Sequence, residues 1–169
     1  KLGLAFANPQ GILMVGASSW SIDLAKTLMS LDCKVVVVDS TWHHLAEARE
    51  DGIPVHYGEI LSEKTEETLD YTEMGKMFVA TDNDAYNALV SNSFIPEMGR
   101  TNVFQIPLHF IHDEREKNLR SSSRGKFAFP ISLPFEELMR KYYQGWRFKV
   151  ETIQETVVVK EMLKKMDDN

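Results

Sequence analysis

The sequence of 169 residues contains one cysteine, Cys33, so no disulfide can form within the chain and the fold rests on its core. Cys33 stands just before a run of valines and reads as a reduced, partly buried thiol. Positive charge is not in excess. Lys and Arg number 19 against 25 Asp and Glu, a net charge of −6, which argues against the basic face that nucleic-acid binding needs. No apolar run approaches the roughly 18 residues of a membrane-spanning helix. There is no P-loop, no zinc motif, no Ser-His-Asp arrangement and no Tyr-x-x-x-Lys pair after the fourth expected strand. His43 and His44 read as surface residues, and His109, His112 and Asp113 lack further ligands, so no metal site is expected. No internal repeat is evident. The chain begins at Lys1 rather than methionine, so a piece of a longer protein is expected.

What is present is ordinary globular material, 43% hydrophobic and 26% charged, enough for one sizeable α/β domain with a small appendage. Buried strands alternate with helices at short spacing. Gly11–Val15 is an apolar strand running into a turn through Ser21, and Ile22 to Leu31 reads as an amphipathic helix. Lys34–Asp39 is a second strand, followed by a helix through Trp42, Leu45, Ala46 and Ala48 that Thr41 or Ser40 can cap and that ends near Asp51-Gly52. Ile53–Gly58 is a third strand, and Ser62 caps a helix over Glu63 to Leu69. Lys76–Ala80 is a fourth strand, Asn83 or Asp82 starts a helix that ends at Gly99, and Thr101–Ile106 is a fifth strand. Such alternation predicts a Rossmann-like, doubly wound parallel sheet, here with a small C-terminal α+β extension.

The pattern changes near Pro107. We expect domain boundaries at 9–107 for the Rossmann-like unit, 108–126 for a polar, serine-containing linker, and 127–169 for the extension. Basic residues of the linker, such as Arg115 and Arg120, are interleaved with acids and read as solvated, with contact to anionic lipid as the other option. In the extension, a helix is expected from about Pro134 to Gln144, and the alternation over Trp146 to Ile153 predicts a half-exposed strand. Its aromatics, from Phe127 to Phe148, are expected to form a small local core. The segment from Glu155 to Met166 reads as a final helix or a further strand.

Candidate binding residues lie where the strands end. The turn Gly16-Ala17-Ser18-Ser19-Trp20 follows the first strand and would present helix N-terminal amides to a phosphate. Of the three glycines in a G-x-G-x-x-G turn only Gly16 is present; Ser18 and Ser21 occupy the other two places, and a serine hydroxyl could itself contact phosphate. Asp39, with Ser40 after it, closes the second strand about 20 residues beyond the turn, where an acid accepts hydrogen bonds from ribose hydroxyls. As a strand-end acid, Asp39 is expected to matter for binding and little for stability.

Two further strand ends complete an ordered set: Tyr57-Gly58-Glu59 after the third strand and Ala80-Thr81-Asp82-Asn83-Asp84 after the fourth, with Asn87 in the helix beyond. Together with Val15-Gly16-Ala17 and Val38-Asp39, these resemble the N-terminal nucleotide-binding half of the RCK domain, the Trk-type module of potassium channels and uptake systems and of Kef-like or sodium/proton antiporters. The resemblance covers roughly Pro9 to Ile106. It implies binding of NAD(H), AMP or ATP. Gly16 and Ser18 would then lie under the phosphates, Asp39 at the adenosine ribose, Glu59 with Gly58 near the adenine, and Thr81 facing the nucleotide with Asp82 and Asp84 nearby. It also implies a homodimer, for which the helix bearing Leu89, Phe94 and Ile95 is one candidate surface. Gln105-Ile106-Pro107 stands where many members carry a basic residue. The tail, with Arg124-Gly125-Lys126-Phe127 and Gly145-Trp146-Arg147-Phe148, resembles the short extension of some antiporter-linked members.

An oxidoreductase needs a placed proton donor and, as a rule, a substrate domain, for which the residues beyond the fifth strand are few. A nucleotide sensor needs one site and a surface that responds to its occupancy. The expectation is therefore a regulatory domain and not an enzyme. It would act on a membrane transporter domain in the same chain or complex, at the cytoplasmic face of the cell membrane, with no nucleic-acid partner. A soluble NAD-dependent oxidoreductase, or a fragment of one, is the alternative.

Overall fold

The computed structural model describes residues 10–108, 123–129 and 133–151. The elements run β1 (Gly11–Val15), α1 (Ser19–Met29), β2 (Val35–Asp39), α2 (Ala46–Glu50), β3 (Val55–Tyr57), α3 (Glu63–Thr68), β4 (Met74–Val79), α4 (Asp84–Met98), a 3-10 turn (Arg100–Asn102), β5 (Val103–Gln105), β6 (Lys126–Phe127) and α5 (Phe135–Tyr143). The six strands form one sheet in the order β3-β2-β1-β4-β5-β6, and every pairing is parallel. This is the expected Rossmann-like α/β fold.

The strand sequences explain why the sheet is covered on both sides. Side chains alternate across a strand, and nearly every position here is apolar. Met14, Val35, Val37, Phe78 and Ile106 face one core, shared with Trp20, Ile22 and Ala25 of α1, Leu45 and Ala48 near α2, and Leu138 of α5. Leu13, Val15, Val38, Met77, Val79 and Val103 face the other, shared with Val90 and Phe94 of α4. Phe94, expected on a dimer surface, is thus buried, and it stands edge-on to Tyr71 at 5.9 Å. Leu89 on the same helix is exposed.

Several expectations change. Among the described residues after 122, the aromatics join the core on the α1 side of the sheet and do not form a separate one. β6 pairs with β5, and Phe129, Phe135, Tyr142 and Phe148 pack on the α1 side of the sheet. Trp20 carries this docking, with Phe78 at 6.1 Å and Phe135 at 6.0 Å in edge-to-face contact. The stretch 146–151 is not a strand. Its alternation reflects one-sided docking: the Phe148 amide donates to Asp23 of α1 at 2.8 Å, and its ring stacks on Phe129 at 6.3 Å. Trp146 faces outward under the Lys141 ammonium, 3.9 Å from its ring. α2 begins four residues later than expected because 42–45 form turns. Gln105 is buried and accepts from the Gly125 amide at 2.9 Å, so it fixes the start of β6. The expectations for His109, His112, Asp113, Arg115, Arg120 and Glu155 to Met166 lie outside the described residues. Among the described residues, no helix is long and apolar enough to cross a membrane.

Candidate functional site

The chain leaves β1 toward β2 on one side and leaves β4 toward β5 on the other. Where the two directions part, the carboxyl ends of β1 and β4 open a crevice, the usual ligand position in such sheets. A cleft of about 900 Å³ lies there. Its walls are the segments after β1, β2, β3 and β4, and Phe135, Met139 and Tyr143 of α5 close the far side.

The floor is the turn after β1. Gly16 has φ +101°, and a Cβ on it would stand 2.8 Å from the Ala80 carbonyl oxygen. Only glycine lets the chain leave β1 this close to the end of β4. Ser18 then caps α1: its hydroxyl faces the Ser21 amide at 3.4 Å, and the Ser18 amide donates to the Ser21 hydroxyl at 2.8 Å. This reciprocal cap starts the helix at Ser19, three residues before the expected Ile22. Ser21 is consequently fully buried, with its hydroxyl 3.1 Å from the Gly16 carbonyl, and is turned away from any phosphate. The amides of Ser19 and Trp20 head the helix, and its first turn carries no acid, which favours an anion at that end. The Trp20 side chain lies in the core and does not line the cleft; only its backbone belongs to the turn.

Asp39 ties the turn to β2. One carboxylate oxygen accepts from the Ala17 amide at 2.8 Å, and the other accepts from the Thr41 amide at 2.7 Å. His44 approaches the same group from the cleft side, with Nδ1 at 3.3 Å and 3.4 Å from the two oxygens. Asp39 therefore has a structural duty that its position at a strand end did not reveal.

Glu59 and Thr81 are also engaged. Tyr86, from the first turn of α4, donates its hydroxyl to Glu59, which also accepts from the Leu61 amide at 3.3 Å. Burial, above all, together with the Glu59 hydrogen bond and charge and the charge of Asp39, pushes the Tyr86 phenol well above its usual pKa. Tyr86 is thus a donor across the working pH range. Thr81 is clamped by fully buried Asn87, whose Oδ1 accepts from the Thr81 amide at 3.1 Å and hydroxyl at 2.6 Å while Nδ2 donates to the Thr81 carbonyl at 2.9 Å. Asn83 caps α4 by accepting from the Tyr86 amide at 3.0 Å.

The structure thus gathers Gly16, Ala17, Ser18, Ser19, Asp39, Ser40, Glu59, Thr81 and Asp82 around one cleft. Sequence reasoning missed Tyr86, His44 and the α5 wall. The apolar spacing Phe135, Leu138, Met139, Tyr142 marks an amphipathic helix, but its docking site comes only with the three-dimensional arrangement. Among the described residues, no three His, Cys, Asp or Glu side chains are grouped to hold a metal ion.

The chain was compared with known proteins. The TrkA-N domain family matches over residues 12–103, from β1 to the start of β5. No curated protein sequence matches. Among solved structures, the TrkA-N domain of inner membrane protein ybaL from Escherichia coli is similar at a TM-score of 0.56 and 14% identity, over 84% of this chain and 100% of that one. The NAD(P)-binding domain of an exopolyphosphatase-related protein from Archaeoglobus fulgidus is similar at a TM-score of 0.53 and 11% identity, over 80% of this chain and 96% of that one. At such identities these two likenesses establish the fold. The family match spans more than half of the sequence, so this chain belongs to the TrkA-N domain family.

Proposed function

We propose that this domain is a nucleotide-sensing regulatory module of a cation transporter, with a cation/proton antiporter as the specific setting, and that it binds NAD(H), AMP or ATP in the cleft. The observation that carries the reading is the cleft itself. A helix N-terminus without acids in its first turn lines it, together with Asp39, which is bonded to the Ala17 amide of that turn, and Glu59. The first suits a phosphate, and carboxylates suit ribose hydroxyls and an exocyclic amine. An acid at the ribose repels a 2′-phosphate, so NADP(H) is disfavoured.

Sensing is preferred to catalysis because one nucleotide site and a responsive surface suffice for it, whereas an oxidoreductase needs a placed proton donor and, as a rule, a substrate domain. The ybaL domain comes from an inner membrane protein, which supports a membrane-protein setting. Nucleotide occupancy would favour one arrangement of paired domains, and a coupling of about 1–3 kcal/mol to the membrane part is enough for a useful response. The test is ion transport by the full-length protein, with and without this domain, across a nucleotide titration. Nucleotide-dependent transport that disappears with the domain supports the reading. Transport indifferent to both, or turnover of a substrate with NAD(H) by the domain alone, favours the oxidoreductase alternative.

A further inference from the structure

The hydrogen bonds of Asp39 can be counted against its capacity. An ionised carboxylate has about four lone-pair positions, two on each oxygen. Backbone amides take one on each: Ala17 on one oxygen at 2.8 Å and Thr41 on the other at 2.7 Å. About one position on each oxygen remains, and the His44 ring, which lines the cleft beside Asp39, stands 3.3 Å and 3.4 Å from the two oxygens. A vicinal diol brings two hydroxyl donors to a carboxylate, and here both would compete with His44 for those positions. The backbone donors are fixed by the fold. His44 is the movable one: its side chain is 52% exposed against 12% for Asp39, and its contacts are the longest of the three.

We infer that His44 is a specificity-setting gate for the ribose diol. It pairs with Asp39 in the empty site and is displaced when a nucleotide with both ribose hydroxyls binds. This inference rests on the proposed nucleotide reading of the cleft. A histidine in this place raises the threshold for binding, so the site responds to ribonucleotides only where both hydroxyls reach Asp39. A ligand without the hydroxyls does not compete with His44 and is indifferent to it.

The test is calorimetric titration of the full chain, native and His44→Ala, with AMP and with 2′,3′-dideoxy-AMP. Removing an exposed, weakly paired competitor should tighten AMP binding by about two- to fivefold and leave the dideoxy nucleotide unchanged. In the native protein, the imidazole nitrogen resonances of His44 should move to those of an unpaired ring with AMP and stay in place with the dideoxy compound. AMP binding that is unchanged or weakened by His44→Ala overturns the gate, as does an equal change for both nucleotides. If native protein binds AMP and only the His44 effect is missing, the gate alone fails. If the native protein binds no AMP, the gate fails; if it binds neither NADH nor ATP as well, the nucleotide reading of the cleft fails with it.

Discussion

The Asp39 carboxylate accepts a hydrogen bond from the Ala17 amide at 2.8 Å, so the acid that ends β2 holds in place the turn that ends β1. The two strands are neighbours, and the bond crosses from one to the other at the base of the cleft. The group proposed to receive the ribose is therefore also the group that shapes the phosphate turn.

This changes what Asp39→Ala should do. A strand-end acid read from sequence alone is dispensable for stability. Here its loss leaves the Ala17 and Thr41 amides without a charged acceptor in a half-buried site. Charge-assisted bonds of this kind are worth about 1.5–3 kcal/mol each where they are sheltered, and water can replace part of that here. Unfolding in urea should show a loss of about 2–3 kcal/mol, along with weakened nucleotide binding. Unchanged stability would mean that the carboxylate does not organise the turn.

The contrast shows what was legible in the sequence. The doubly wound sheet was, because Val35–Asp39 and Met74–Val79 are apolar on both faces and strands buried on both sides belong to a parallel sheet. The ends of β1 to β4 were too, because Gly16, Asp39, Gly58 and Thr81 punctuate the apolar runs. The partners of those residues were not. Ser21 read as a turn residue, whereas its reciprocal cap with Ser18 draws it into α1. Tyr86 carries no signal of its own in the sequence; its partner comes only when the fold brings α4 beside the segment after β3. Phe135 and Met139 line the cleft, a docking that the amphipathic spacing of α5 does not specify.

Gly16→Ala should be strongly destabilising. The backbone there has φ +101°, and the added Cβ would meet the Ala80 carbonyl oxygen at 2.8 Å, a backbone atom that cannot swing aside as a flexible side chain could. A loss of about 2–4 kcal/mol is expected by thermal or urea unfolding. A variant as stable as the native protein would contradict the close approach of β1 and β4.

Asn87→Leu keeps the volume but removes both halves of the Thr81 clamp. The Thr81 amide, hydroxyl and carbonyl lose partners next to a fully buried side chain, at a cost of about 2–4 kcal/mol. Amide hydrogen exchange should localise the effect, with Thr81 losing protection before the strands do. Equal loss across the sheet would place the role of Asn87 elsewhere.

Tyr86 sets an alkaline limit. Its phenol is raised in the folded state by burial first, then by the Glu59 bond and by the Glu59 and Asp39 charges, while in the unfolded chain it titrates near its ordinary value of about 10. The folded form therefore holds the proton more tightly. This stabilisation is complete below about pH 10 and is lost as pH rises toward the higher folded value. Urea unfolding from pH 8 to 11 should show stability declining above about pH 10, less steeply in Tyr86→Phe. Parallel profiles for the two proteins would contradict the Tyr86–Glu59 pairing.

The most direct measurement for the account as a whole is calorimetric titration of the chain with NADH, AMP, ATP and NADPH, repeated with Asp39→Asn after circular dichroism has shown that the variant is folded. The account predicts one site per chain for at least one of the first three, tighter than NADPH. It also predicts that Asp39→Asn weakens that binding by about 1.5–3 kcal/mol, roughly ten- to more than a hundredfold. Tighter binding of NADPH, no binding of any of the four, or affinity that ignores Asp39 would contradict it.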